Sequence, residues 1–274
     1  MYQGLIKAPG WVMAGLQGRR VLVVGASAGI GRWSAVRCSQ LGAEIVVAAR
    51  RADQLAETCA MAGGGHVLSV DVRDPEQCVR VVNDAATMLG GLDAVLYTVG
   101  WSPLKELQAM GADDWQAVFE INTIAPQLIT AAAIPHLAAD GIVSFMSSDS
   151  VADPRHSLVA YAASKAALET CLKGWRTEVL GGVRFVKITV GPTIPTDFGR
   201  EFDGETLGQV FGHWTRQGMK TGYMDVTDVG NAVGDQLALS FDYPGICSDE
   251  LVLRPVEPKA ALSDFGSSSP AATS

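Results

Sequence analysis

Seven short, strongly apolar runs punctuate the chain: VLVVG at 21, EIVVAAR at 44, HVLSV at 66, LDAVLY at 92, GIVSFM at 141, VRFVKITV at 183 and ELVLRP at 250. They are apolar almost continuously rather than in alternation, the pattern of strands buried on both faces. Longer stretches of helical spacing lie between them, and that order predicts a parallel sheet with helices on both sides. The expected fold is a doubly wound α/β domain around a mainly seven-stranded parallel sheet.

The length of 274 residues, 48% of them hydrophobic, suits one substantial core. The expected domain runs from 13 to 258, after an extension at 1–12 and before a Ser/Ala/Pro-rich tail at 259–274 that reads as disordered. One helix is expected to start at Asp74 as N-cap with Pro75 in its first turn and Val79, Val82, Ala86 and Leu89 on its buried face. A second, long helix is expected across 111–140, kinked near Asn122 by Pro126.

The formal charge of −8 argues against a nucleic-acid partner, which would need a basic face. Five cysteines, Cys38, Cys59, Cys78, Cys171 and Cys247, form no C-x-x-C pair and give neither a disulfide framework nor a zinc site. No metal is expected. The first twenty residues lack a continuous apolar segment, so Arg19-Arg20 is not read as an export signal, and no uninterrupted apolar run is long enough for a membrane span. A cytoplasmic protein is expected.

Two short motifs carry chemistry. GASAGIG follows the first strand and opens a helix; Gly25, Gly29 and Gly31 permit a tight turn, close backbone approach to a pyrophosphate and close helix–strand packing. In YAASK, Tyr161 and Lys165 sit four residues apart, on one face of a helix. A free tyrosine, with a pKa near 10, gives up its proton reluctantly at neutral pH; a fixed ammonium beside it is expected to lower that value.

Taken together, GASAGIG, SVDV ending at Asp71-Val72, the asparagine of EINTIAP, a serine thirteen residues before Tyr161, YAASK and VGPTIPTDF resemble the short-chain dehydrogenase/reductase family. The resemblance runs in order from about residue 16 to residue 256. It departs from the usual pattern at Val24, where relatives carry threonine, and at YTVG, Tyr97 to Gly100, where they carry NNAG.

The resemblance implies a Rossmann-type fold and a nicotinamide dinucleotide. Gly25, Ser27, Gly29, Ile30 and Gly31 would hold its diphosphate, Asp71 its adenine amino group with Val72 beside it, and Gly100, Pro192, Thr193 and Thr196 its nicotinamide side or diphosphate. The second strand ends in AARR with no carboxylate to engage a free ribose, so NADP(H) is expected over NAD(H). Arg50 would face the 2′-phosphate, assisted by Arg51 or Arg32.

By the same resemblance Tyr161 is the general acid and base, Lys165 also binds the nicotinamide ribose, Ser148 polarises the substrate carbonyl, and Asn122 holds a water linking Lys165 to solvent. An asparagine that relieves free backbone groups at the helix kink is the other reading of Asn122. Ser147 is the weaker serine because only Ser148 has the thirteen-residue spacing. His156 and Trp101 are expected to border substrate.

The segment from Asp197 to Tyr223, with Phe198, Phe202, Leu207, Phe211, Trp214 and Met219, is expected to form a substrate lid suited to an apolar or aromatic substrate. In relatives the segments near Asn122 and from Tyr161 to Leu180 pair across a two-fold axis, which implies a homodimer or homotetramer. The expected activity is carbonyl–alcohol interconversion. The alternatives are a dinucleotide-binding regulatory protein with little turnover, and a redox-neutral epimerase or dehydratase on the same scaffold.

Overall fold

The computed structural model describes residues 15–202, 204–217 and 222–256. The expected extension at 1–12, the tail at 259–274 and Met219 lie outside the described residues. In chain order the elements are β1 (Arg20–Val24), α1 (Gly29–Gln40), β2 (Glu44–Ala49), α2 (Ala52–Ala62), β3 (His66–Ser69), α3 (Pro75–Leu89) and β4 (Leu92–Tyr97). There follow α4 (Ala112–Phe119), α5 (Ala125–Ala133), β5 (Leu137–Ser148), α6 (Val159–Glu178), β6 (Arg184–Val190), β7 (Thr193–Ile194), α7 (Gly204–Arg216), β8 (Met224–Asp225), α8 (Val226–Asp242) and β9 (Glu250–Leu253).

The expected seven strands form one sheet in the order β3-β2-β1-β4-β5-β6-β9, every neighbouring pair parallel. Alternate residues of each strand feed two separate cores. Val21, Val23, Ile45, Val47, Ala94 and Leu96 face α1 and α8. Leu22, Val24, Val46, Ala48, Val95 and Tyr97 face α3, α5 and α6. Burial on both sides explains the unbroken apolar runs.

Strand order reverses between β1 and β4, and this leaves a crevice at their carboxyl ends, where open α/β sheets bind ligands. At the opposite end of the sheet Arg19 and Arg20 both reach Asp93, at 3.2 and 2.8 Å, so that pair of arginines serves the fold.

Helix α3 begins as expected, with the Asp74 carboxylate accepting from the Glu76 and Gln77 backbone N–H groups. Its buried face differs: Cys78, Val81, Val82, Ala85, Ala86 and Leu89 point inward, whereas Val79 is 41% exposed. The wider stripe, about half the helix circumference, is what a helix flat against a sheet requires.

The single long helix expected across 111–140 is instead α4, a five-residue π-helical turn at Glu120–Ile124, α5, and a 3-10 turn at Ile134–His136. Pro126 has no N–H for the Asn122 carbonyl, and the chain widens by one residue there, the Ala125 N–H bonding back to the Glu120 carbonyl. The chain is already extended at Leu137, which pairs with Leu92, so 137–140 belongs to β5. The run Ala112–His136 has the length and hydropathy of a membrane span, but half of its most apolar window is buried inside the protein, as in a core helix.

Candidate active site

The strand ends and the loops around them enclose a cleft of about 830 Å³. Its floor at one end is the glycine loop. Gly25 holds φ at 98°, a left-handed conformation, and a side chain at Gly31 would collide with the Thr98 hydroxyl and the Gly25 carbonyl. Ala28 caps α1 without a side-chain bond, so first-turn N–H groups of α1 remain open to an anion. Ser27, Gly29, Ile30 and Gly31 line the cleft here, and Thr196 closes over them, its Cβ 3.9 Å from where a Gly29 side chain would begin. These residues fit a dinucleotide diphosphate.

The unusual YTVG has a local explanation. The Thr98 hydroxyl and N–H both donate to the Val24 carbonyl, at 2.8 and 2.9 Å, tying β4 to β1 under the loop. Arg50 is exposed at the rim of the cleft and makes no ion pair among the described residues. Arg51 donates to the Ser27 hydroxyl at 3.0 Å and pairs with Asp197 at 2.5 Å.

Arg32 turns away from the cleft. Its guanidinium is taken up by the Ser27 and Gln54 carbonyls, Thr58 and Glu57, inside the α1–α2 contact and away from the cleft. Asp71 and Val72 line the cleft as expected. Asp71 is gripped by Arg73 through both carboxylate oxygens, and those hydrogen bonds hold its carboxyl below the usual carboxylate range.

At the other end Tyr161 and Lys165 project from the first turns of α6. A methyl group placed on Gly100 would lie 3.7 Å from both the Tyr161 hydroxyl and the Lys165 Nζ, so the two tips converge on that backbone. Lys165 is fully buried and donates to the Met146 carbonyl at 2.8 Å and to that of Val99 at 3.4 Å. Burial lowers its pKa to about 7.

The expected depression of the Tyr161 pKa is not found: burial pushes the phenol up to about 12. The Ser148 hydroxyl pulls it down, Asp149 pushes it up and Arg155 opposes Asp149. Lys165 does not offset this, because an amine whose own pKa is lowered to about 7 is neutral when the phenol ionises, and its Nζ turns to the two carbonyls, 5.6 Å from the centre of the tyrosine ring. Tyr161 nevertheless keeps part of its surface open to the cleft.

Ser148 lies at the end of β5 and takes part in a short network. Its Oγ accepts from the Ser150 N–H at 3.1 Å, and donates to Ser150 Oγ at 3.1 Å or to Asp149 Oδ1 at 3.4 Å. Ser147 spends its hydroxyl on Glu169 at 2.6 Å, which leaves Ser148 as the serine beside Tyr161. Asn122 is buried in the π-helical turn. Its amide oxygen accepts from the Trp101 N–H at 2.9 Å, and its Nδ2 donates to the Trp101 carbonyl at 2.7 Å and to Ser164 at 3.0 Å. The amide thus clamps the Trp101 loop to α6 at the helix kink.

The remaining walls are aromatic. Trp101 lines the cleft and donates from Nε1 to Glu201. Phe198 tilts against Tyr161 with ring centres 4.8 Å apart, and Leu207, Phe211 and Trp214 enter from α7. Pro192 and Thr193 border the cleft, and β7, which begins at Thr193, pairs with β8. His156 is not in the cleft. Its ring stacks on His213 of α7 at 4.1 Å and meets Glu106 at 3.1 Å, while its carbonyl accepts from Trp214 Nε1, so it braces α7.

Residues 19–205 match the family model of the short chain dehydrogenases. The chain belongs to the short-chain dehydrogenase family. A hydroxysteroid 11-beta-dehydrogenase 1-like protein of Gallus gallus is 36% identical over 207 residues, 72% of this chain and 70% of the relative.

The short chain dehydrogenase/reductase AacuN of Aspergillus aculeatus is 31% identical over 166 residues, 58% of this chain. This short-chain dehydrogenase spans 62% of that relative's length. Among solved structures, a short chain dehydrogenase from Burkholderia cenocepacia in complex with NADP superposes with a TM-score of 0.74 at 25% identity, covering 87% of this chain and 97% of the other. An alcohol dehydrogenase from Thermococcus sibiricus has the same fold, with a TM-score of 0.74 at 21% identity over 89% of this chain and 99% of the other.

Six charged residues of this short-chain dehydrogenase's cleft were missed from the sequence: Arg73, Asp149, Arg155, Asp197, Arg200 and Glu201. The nearness of Arg73 to Asp71 in DVRD was a readable signal. Glu201 carried none, because its partner Trp101 is 100 residues away.

Proposed function

We propose that the protein is an NADP(H)-preferring oxidoreductase that interconverts a carbonyl group and a secondary alcohol on a bulky apolar or aromatic substrate. The observation that carries this reading is the convergence of the Tyr161 hydroxyl and Lys165 Nζ on Gly100, beside Ser148, in a cleft continuous with the glycine loop. The bound dinucleotide supplies hydride chemistry, and the protein orients the partners and handles the proton.

The glycine loop and the N-terminus of α1 hold the diphosphate. Arg50 and Arg51, at the end of a strand that carries no carboxylate there, receive a 2′-phosphate. The NADP found with the Burkholderia cenocepacia structure supports the same preference. Ser148 donates to the substrate oxygen. Tyr161, with its pKa pushed up to about 12, stays protonated at neutral pH and gives its proton to that oxygen during reduction. Lys165 fixes the ribose and, when charged, favours loss of that proton. Trp101, Phe198, Leu207, Phe211 and Trp214 exclude water and select an apolar substrate.

The reading includes a cytoplasmic homodimer or homotetramer paired through α6 and the α4–α5 segment, where Ile124 of the π-helical turn is 48% exposed.

The experiment is NADPH and NADH consumption against a panel of aliphatic, aromatic and polycyclic ketones, with Arg51→Ala in parallel. NADPH-dependent turnover of the bulkier ketones is expected, and Arg51→Ala should weaken NADPH about tenfold, ~1.4 kcal/mol, with NADH nearly unchanged. Equal use of both cofactors by wild type would overturn the preference. Tight NADPH binding without turnover of any carbonyl would overturn the oxidoreductase.

A further inference from the structure

The loop from β5 to α6 places an ion pair beside the reacting groups that the motif-based reading left unassigned. Arg155 donates from Nη2 to Asp149 Oδ2 at 2.7 Å, both side chains only 20% exposed and both lining the cleft. The other carboxylate oxygen of Asp149 stands 3.4 Å from Ser148 Oγ, a long and weak contact. The loop after β6 presses on the pair, since a methyl group at Gly191 would lie 3.5 Å from Asp149 Oδ2.

We propose that Asp149 and Arg155 act as a positioning pair: the guanidinium draws the carboxylate off the Ser148 hydroxyl and balances its charge beside the Tyr161 phenol. The inference rests on the oxidoreductase reading for its catalytic consequence, but not for its geometry. A carboxylate released from Arg155 would be a nearly buried, uncompensated charge. The nearest hydroxyl is Ser148, and a short charge-assisted bond to it would take the proton that Ser148 must offer a substrate oxygen. The same free charge would oppose ionisation of Tyr161, as Asp149 already does and Arg155 counters.

Among the described residues no other charge duplicates this role. From α6 itself the phenol faces Lys165, which is turned to the Met146 and Val99 carbonyls. The segment from β4 brings only Val99, Gly100 and Trp101. The start of the lid brings the Phe198 ring, while its charges are engaged elsewhere: Asp197 with Arg51, Arg200 with Asp197 and Glu201, and Glu201 with Trp101.

The test compares Arg155→Gln, Arg155→Lys, Asp149→Asn and the double variant Asp149→Asn/Arg155→Gln. One readout is the onset of phenolate absorbance with pH, wild type minus Tyr161→Phe; the other is the pH profile of kcat/KM for carbonyl reduction. Arg155→Gln should move the Tyr161 titration to higher pH and lower kcat/KM at least about tenfold. Asp149→Asn should move the titration to lower pH by about one unit, and the double variant should return it close to wild type. Arg155→Lys should keep the titration near wild type with part of the activity.

Were Arg155→Gln to misfold, the downward shift in Asp149→Asn and its absence in Arg155→Lys would still decide the matter. Movement of both single variants in the same direction, or of neither, would overturn the proposal. Because phenolate absorbance needs no turnover, a protein with opposed shifts and no reductase activity would refute the oxidoreductase reading and leave the pair standing.

Discussion

The two ends of the cleft are built by different physics. The nucleotide end is made of backbone: a left-handed Gly25, a Gly31 with no room for a Cβ, and the open N-terminus of α1. Among the described residues it carries no buried ionised group, and it demands shape above all. The catalytic end is made of side chains from four separate segments, and at its centre is a lysine buried almost completely against two carbonyls. That end costs the fold stability in return for chemistry. One end should therefore fail when atoms are added, and the other should become more stable when a functional group is removed.

The sharpest way to break this contrast is Gly31→Ala. A single methyl there presses into backbone as well as the Thr98 hydroxyl, so a loss of about 3 kcal/mol in unfolding free energy is expected, with abolition of dinucleotide binding. Urea unfolding and fluorescence titration with NADPH would read both. Tolerance of alanine with unchanged affinity would remove the argument that the loop is a close-contact cradle.

Lys165→Met tests the opposite end and should act with the opposite sign. The lysine titrates at 10.5 when free and about 7 in the folded protein, so between those values the unfolded chain holds the extra proton. Wild-type stability contributed by this group therefore rises with pH across the window from 7 to 10.5, and the cost is greatest at pH 7 and below. The methionine variant should gain on the order of 2 kcal/mol over wild type at pH 7, and the gain should shrink toward pH 10.5. A destabilised variant, or a gain independent of pH, would show that the buried amine is not a stability cost.

A smaller effect separates binding from fold within the lid. Phe211 is 41% exposed on α7 yet lines the cleft. Phe211→Ala should change stability by less than about 0.5 kcal/mol and leave NADPH affinity alone, while KM for an aromatic ketone rises severalfold. An equal change for small aliphatic ketones would mean that the lid does not read substrate.

The same division explains how much of the molecule could be read from its residues. The seven strands, the glycine loop and the shared face of Tyr161 and Lys165 rest on short-range signals, namely apolar runs, fixed glycine spacing and helical periodicity, and the choice of Ser148 rests on the family resemblance. Trp101 and Thr196 also came to the cleft as their place after strand ends suggested. The misplaced residues all depend on direction or burial, which spacing does not encode. His156 is five residues before Tyr161 but points to His213 and Glu106. Arg32 sits in the loop–helix motif but is captured by α2. The Tyr161 pKa does not follow its lysine neighbour, because burial raises the phenol and also lowers the lysine to about 7, leaving it neutral when the phenol ionises.

The central claim is that Tyr161 passes the proton in a hydride-transfer reaction, and the most direct test is Tyr161→Phe assayed for NADPH affinity and for single-turnover carbonyl reduction. The account predicts NADPH affinity within about threefold of wild type and a fall in the chemical step of about 10³-fold. Reduction that proceeds at the wild-type rate in the phenylalanine variant would contradict it.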